Sequence, residues 1–310
     1  MLVEEELAKV SPKKDMLLTI GVFDGVHLGH KYLISQIMEQ AKQQNLLSGV
    51  VTFRQHPLEV LSPQTRLLYL TSVTEKINLL KNEGVDAVIP LSFTRELAEL
   101  SARQFASLLK KYLRMSGMVI GPDFALARNR EGNVDTLNTL GQDMGFSITV
   151  IAPAMVNSEM ISSTAIRDAL ADGDMKKASR LMGRHFSLQE KVATGAGRGS
   201  GLGFPTANLD IDSKQALPTD GVYATWAYIE DKAYPSMTNI GLRPTFASNE
   251  RTVETYILNY HDNLYGREIK IDFVERLRGE KQFDTVEELK KQIYEDVKQG
   301  IAILGPQGSE

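Results

Sequence analysis

The chain has 310 residues, 24% of them charged and 42% hydrophobic, and a net charge of −4. That length accommodates two domains with cores of their own, and the mild negative charge creates no overall field drawing the protein to nucleic acid or to an anionic membrane surface. Cysteine is absent, which excludes disulfides, thiolate zinc sites and cysteine nucleophiles and suits a reducing, cytoplasmic setting.

The amino-terminal stretch "MLVEEELAKVSPKK" is acidic and lacks the apolar core of a secretory signal. No apolar run approaches the ~20 residues of a membrane-spanning helix. Next, "MLLTIG" (16–21), "GVVTF" (49–53), "VDAVIPL" (85–91), "GMVIG" (117–121) and "SITVIAP" (147–153) predict strands. Between them "HKYLISQIMEQAKQQN", "VTEKINLLKNEG", "SARQFASLLKKYL" and "VDTLNTLGQDMG" carry apolar residues at helical spacing. Strand–helix alternation predicts a doubly wound parallel sheet, whose ligands bind beyond the carboxyl ends of the strands. From Ile161 to Gly183 the pattern is helical, with a break at Gly173–Asp174. Beyond that, "GVYATWAYI", "AYPSMTNIG", "VETYILNY" and "EIKIDFVERL" predict strands of a small antiparallel barrel, and "TVEELKKQIYEDVKQGIAIL" a closing helix. The expected domains are 1–183 and 184–310.

Three segments carry candidate chemistry. "GVFDGVHLGH" (21–30) leaves the first strand through a turn at Asp24–Gly25 and enters a helix near His30. A helix amino terminus offers free N–H groups to an anion, and Gly29 leaves room for close backbone approach. His27 and His30 can both donate to such an anion; the other histidines are dispersed, so zinc is not expected. In "ISSTAIRDAL" (161–170), Ser162, Ser163 and Thr164 can cap a second helix, with Arg167 one turn in, on the side of a phosphate held there. Hydroxyls used only for capping would look the same. In "GAGRGSGLGFPTANL" (195–209), Gly197, Gly199 and Gly203 suit backbone wrapping around phosphate, although no Walker A lysine follows. Thr206 and Asn208 alternate onto one side and offer oxygens suited to Mg²⁺.

The segments "GVFDGVHLGH", "TFRQHP", "GPDF" and "ISSTAIR" resemble the HxGH and SSTxxR motifs of the nucleotidyltransferase superfamily, in the form found in bacterial bifunctional riboflavin kinase/FAD synthetases. "GFPTANL", "LPTDGVYA", "NIGLRPTF", "VETYIL", "LYG" and "LRGEKQFDTVEEL" resemble that family's kinase module along essentially its whole length. The resemblance implies two ATP-dependent steps, riboflavin to FMN and FMN to FAD with release of pyrophosphate. It implies that His27 and His30 hold ATP phosphates, with Gly21, Phe23, Asp24, Gly29, Asp123, Ser162, Ser163, Thr164 and Arg167 completing that nucleotide site. In the kinase half it makes Thr206 and Asn208 ligands of Mg²⁺–ATP and Glu254 the base acting on the ribityl hydroxyl, with Arg278 and Glu280 closing over flavin. The implied partners are the small molecules ATP, riboflavin and FMN; oligomeric state is left open.

Two departures stand in the first half. Arg54–Gln55 replaces the family's acidic residue and proline before "HP", and Leu126–Ala127 replaces Phe-Gly after "DF". They leave open a kinase with a silent first half, and a flavin- or nucleotide-binding protein without turnover.

Overall fold

The computed structural model describes residues 1–65, 67–156, 159–194, 203–230, 232–242 and 251–305. It forms two compact units, Met1–Ser163 and Thr164–Glu310.

The first unit is built on five strands: β1 (Met16–Ile20), β2 (Leu47–Phe53), β3 (Ala87–Leu91), β4 (Met115–Ile120) and β5 (Ser147–Val150). They lie in the order β3-β2-β1-β4-β5 with every neighbouring pair parallel. The helices are α1 (Leu2–Ala8), α2 (Leu28–Gln43), α3 (Pro57–Leu61), α4 (Val73–Asn82), α5 (Arg95–Glu99), α6 (Ala102–Leu113) and α7 (Val134–Met144). Central strand β1 is buried at every position, as a strand covered on both faces must be. Its alternate residues serve different cores: Met16, Leu18 and Ile20 pack with Leu7 of α1, Leu109 of α6 and Leu137 of α7, while Leu17 packs with Ile37 and Ala41 of α2. Strand order reverses between β1 and β4, so their carboxyl ends flank the crevice where such sheets bind ligands.

Helix α1 lies in the acidic stretch that the sequence left unassigned. Val3 and Leu7 are buried, and the Glu6 carboxylate accepts from Ser92 N and Oγ, both at 2.8 Å. A short hairpin of β6 (Met155–Val156) and β7 (Glu159–Met160) precedes α8 (Ser163–Asp172), which begins at the last residue of the first unit.

The second unit continues with α9 (Met175–Met182). Six strands then close a barrel: β8 (Phe186–Ala193), β9 (Thr206–Leu209), β10 (Gly221–Ile229), β11 (Lys232–Leu242), β12 (Arg251–Ile257) and β13 (Glu268–Arg278), in the order β10-β11-β12-β9-β8-β13. The sequence pattern gave four of them; β8 and β9 complete the closure. Tyr223, Thr225, Ile240, Ile271 and Phe273 are fully buried. A polar seam crosses three of the strands, with Thr225 Oγ1 at 2.8 Å from both Ser236 Oγ and Thr238 Oγ1, and Thr238 Oγ1 at 3.0 Å from Thr255 Oγ1. A hydroxyl both donates and accepts, so the seam satisfies itself without water.

Helix α10 (Val286–Leu304) packs on β10, β11 and β13. It starts at Thr285, whose Oγ1 accepts from Glu288 N at 3.2 Å. Gly300 makes its approach to the barrel possible, since a Cβ there would lie 2.2 Å from Met237 Cε.

Candidate active sites

The first site is a turn. Between β1 and α2 the backbone takes left-handed conformations at Phe23 (φ 53°), Gly25 (φ 82°) and Val26 (φ 37°), which crowd it into a tight loop. Asp24 fixes that loop from below. Its carboxylate, 3% exposed, accepts from Leu70 N at 3.0 Å and Thr71 N at 3.3 Å, while Thr71 Oγ1 accepts from Gly25 N at 3.2 Å. Two backbone amides of the segment before α4 therefore donate to the Asp24 carboxylate and tie the turn to that segment. Gly21 has its absent Cβ position 3.1 Å from the Phe23 ring, so glycine there lets Phe23 fold back under the loop.

His27 is the N-cap of α2, and its Nδ1 accepts from His30 N at 3.3 Å. That bond leaves the ring proton on Nε2. The two imidazoles stack with centroids 3.6 Å apart and planes 15° from parallel, and Phe23 meets His30 edge-on at 5.0 Å. His30 Nδ1 is buried without a hydrogen-bond partner among the described residues. Burial, followed by the like charges of His27 and Lys76, holds His30 well below the usual histidine range. Its imidazole is therefore neutral at neutral pH, and an arriving anion favours its protonation. A Cβ on Gly29 would sit 3.1 Å from His27 Cε1 and 3.4 Å from the Ile161 carbonyl, so this glycine admits the stacked ring and the segment leading into α8. At the start of α8, Ser163 Oγ donates to Asp24 O at 2.9 Å, tying "SST" to "GVFDGVHLGH". Ser162 precedes it, Thr164 is exposed, and Arg167 stands at i+4 from Ser163, on the same side of the helix. Asp123 follows β4 on the surface, and its carbonyl accepts from Arg130 Nη2 at 3.3 Å.

The departures have structural counterparts. Arg54 pairs with Glu6 of α1 at 3.7 Å, and Gln55 Nε2 donates to Phe93 O at 2.9 Å. Leu126 bridges to Gly132, and Ala127 takes φ 68°, ψ −177°, a conformation that suits glycine.

The second site is assembled by strand register. Asn208 of β9, Glu254 of β12 and Asn239 of β11 are successive Cα partners, as are Thr206, Tyr256 and Met237 two pairs further along. Thr206, Asn239, Glu254 and Tyr256 line a cavity of about 340 Å³, together with Arg278, Glu280 and, from α10, Leu289, Ile293 and Asp296. Arg278 is gripped by Asp296: Nε donates to Oδ1 at 2.9 Å and Nη2 to Oδ2 at 2.8 Å, with side chains only 15% and 5% exposed. Gln292 Nε2 donates to the same carboxylate at 2.9 Å. Glu280 lies across β11, its Oε1 1.9 Å from where a Gly241 Cβ would be. A neighbouring cavity of about 220 Å³ is lined by Pro205, Ala207, Thr255 and residues 260–265, and Thr206 lines both. Gly203 leads into this region at φ 90°. Gly197 and Gly199 lie outside the described residues.

Sequence reasoning missed Asn239, Tyr256, Asp296 and Lys76. Asp296 had a legible signal, because Leu289, Ile293, Asp296 and Gly300 recur on one helix face and a carboxylate interrupts the apolar stripe. Lys76 interrupts the stripe of α4 in the same way.

A hydroxyl, an amide oxygen and a carboxylate beside a small-molecule cavity in one unit, and a stacked histidine pair at a switch-point turn in the other, are the furniture of a two-site phosphotransferase. The FAD synthetase family model matches residues 9–165 and the riboflavin kinase family model residues 182–304. The chain belongs to the bacterial bifunctional riboflavin kinase/FMN adenylyltransferase family: it is 38% identical to the Escherichia coli K12 member over 288 residues, 92% of each chain. It is 33% identical to the Listeria monocytogenes member over 282 residues, 90% of each chain. A crystal structure described as a macrolide-efflux protein from Streptococcus pneumoniae superposes with a TM-score of 0.87 at 28% identity, covering 96% of each chain. No helix among the described residues is long and apolar enough to cross a membrane.

Proposed function

We infer that the barrel unit transfers the γ-phosphoryl group of ATP to riboflavin, giving FMN, and that the first unit transfers AMP from a second ATP to FMN, giving FAD and pyrophosphate. The functional boundary falls between residues 183 and 184, ahead of the first barrel strand. The observation that carries the kinase reading is Thr206, shared by two cavities and set beside the Asn208–Glu254–Asn239 row. The larger cavity, walled by Phe204, Tyr256, Phe283, Leu289 and Ile293, suits a planar flavin ring; the smaller one suits the nucleotide. Transfer between them then crosses the Thr206 wall, where Glu254 can take the proton of the attacking ribityl hydroxyl.

The oxygen donors of Thr206 and Asn208 fit Mg²⁺, a hard cation held with the help of substrate phosphates. Among the described residues no cluster of three His, Cys, Asp or Glu side chains competes for it. When bound, the ion supplies charge neutralisation on the phosphates. Arg278, immobilised by Asp296, and Glu280, laid over Gly241, close the flavin side.

In the first unit an FMN phosphate oxygen attacks Pα of ATP, the bond from Pα to the bridging oxygen breaks, and pyrophosphate leaves with the electron pair. His27 Nε2–H and the protonated form of His30 donate to the oxygens on which that charge develops, beside Ser163. Incubation of the protein with riboflavin and Mg-ATP, followed by chromatography, tests both halves. FAD is the expected product; FMN alone leaves a kinase with a silent first unit, and unchanged riboflavin overturns the reading.

A further inference from the structure

Lys76 takes no part in the chemistry above, yet the fold buries it to 3% exposure. It comes from the face of α4 that also carries Leu79 and Leu80, and its ammonium donates to Phe53 O at 2.6 Å and Val22 O at 3.1 Å. Phe53 is the last residue of β2, and Val22 lies just past the end of β1, five residues before His27. Thr52 Oγ1 also donates to the Val22 carbonyl, at 3.0 Å. Tying two carbonyls together requires only a neutral donor. Burying a full cation there adds a desolvation cost that two carbonyls offset in part. A positive charge held under an anion-binding turn gives that cost a use.

We propose that Lys76 is a positioning residue of the nucleotide site, its buried ammonium tying the ends of β1 and β2 together beneath the His27–His30 pair and adding a fixed positive charge that strengthens polyphosphate binding there. The proposal rests on the reading of the first unit as the FAD-forming one. The charged and titratable groups around it are Asp24 of the turn, His27 and His30 at the start of α2, and Tyr69, which faces Asp24 from the segment before α4. Beyond β2, Arg54 is paired with Glu6 of α1. Desolvation, opposed by Asp24, brings Lys76 down to about 8. The charge is present at neutral pH and is lost as pH rises through that value.

The test measures kcat/KM for Mg-ATP in FAD formation at saturating FMN from pH 7 to 9.5, for the full-length wild type and Lys76→Gln. FMN formation from riboflavin is followed in the same samples. This ratio reports ionisations of the free enzyme. Wild type is expected to fall about tenfold across pH 8, and Lys76→Gln to be about tenfold low at pH 7 and flat above it, with FMN formation unchanged. A flat wild-type profile overturns the proposal without any variant having to fold. So does a Lys76→Gln profile that keeps the limb, or activity within about twofold of wild type at pH 7. Wild type that forms no FAD defeats the underlying functional reading instead, which separates the two failures.

Discussion

The two units build sites for related phosphorus chemistry in opposite ways. In the first, one turn and one helix start bring Phe23, His27, Gly29 and His30 together, and long-range hydrogen bonds from Leu70, Thr71, Lys76 and Ser163 hold that turn in place. In the second, Thr206, Asn239, Glu254, Arg278 and Asp296 come from four strands and a helix, and meet because barrel closure fixes their register. A turn can be read as a string of residues, whereas a register exists only once the strands have paired. The first design concentrates its chemistry in left-handed backbone and buried imidazole; the second distributes it over rigid strands whose interior is already satisfied.

If each site is self-contained, a substitution in one should leave the other reaction intact. Glu254→Gln offers the sharpest separation. It keeps shape and hydrogen bonding but removes the proton acceptor, so FMN formation should fall by about 10²–10⁴-fold while FAD formation from supplied FMN persists. Near-normal FMN production would remove Glu254 as the base and leave the register row without its chemical centre.

The next test asks whether the barrel site depends on its helix. Asp296→Asn leaves Arg278 a largely buried cation without its counter-charge, and breaking such a pair costs about 3–5 kcal/mol. Denaturant unfolding of the second unit should shift by that order, and KM for riboflavin should rise before kcat falls. An unchanged midpoint would show that Arg278 is held by strand β13 alone.

His30→Ala probes the turn. Losing one oriented donor to developing charge should lower FAD formation by about 10²-fold, with ATP binding weakened less and kinase turnover untouched. A pH effect accompanies it. Burial, then His27 and Lys76, holds folded His30 below its ordinary value of 6.5, so on acidification the unfolded chain takes up the proton first. Stability of the first unit therefore decreases as pH falls through about 6.5, and His30→Ala should flatten that slope; an equally steep slope would place the effect elsewhere.

Legibility in the sequence followed the same division. All five strands of the sheet were readable because β1 to β5 are apolar runs separated by helical periods. The juxtaposed histidine pair was readable because its two residues lie three apart in one turn. In the barrel, β8 ("FSLQEKVA") mixes inward apolar with outward charged residues, and β9 is only Thr206–Leu209, so neither announced itself as a strand. Asn239 was hidden for a further reason: an asparagine in "TNIG" acquires meaning only when register sets it beside Glu254. Asp24 and Gly29 were legible as important, while the long-range neighbours that surround them were not. The Asp24 carboxylate holds backbone amides 46 and 47 residues away, and the place of a Gly29 Cβ is crowded by His27 and Ile161.

The smallest effect comes from the loop around Ala127. Ala127 holds φ 68°, ψ −177° between the Leu126–Gly132 bridge and a short helical turn, and Asn129 and Arg130 also have positive φ, at 54° and 58°. The surrounding bonds enforce this shape: Gly132 N donates to Leu126 O at 3.0 Å, Arg128 N to Leu100 O at 3.0 Å, and Arg130 N to Ala127 O at 3.1 Å. A side chain in that region costs roughly 1–3 kcal/mol, which glycine avoids. Glycine also gives the unfolded chain more freedom, which takes back part of the gain. The net expectation for Ala127→Gly is a first unit more stable by about 1 kcal/mol, read as a higher unfolding midpoint with the barrel transition unmoved. Because the change relieves strain without adding a contact to His27 or His30, kcat for FAD formation should stay within about twofold. A stability gain with unchanged turnover would assign the effect to backbone strain alone. A large rise in FAD formation would instead make this loop part of the nucleotide site, and the first unit would then be an assembled site, as the barrel's is.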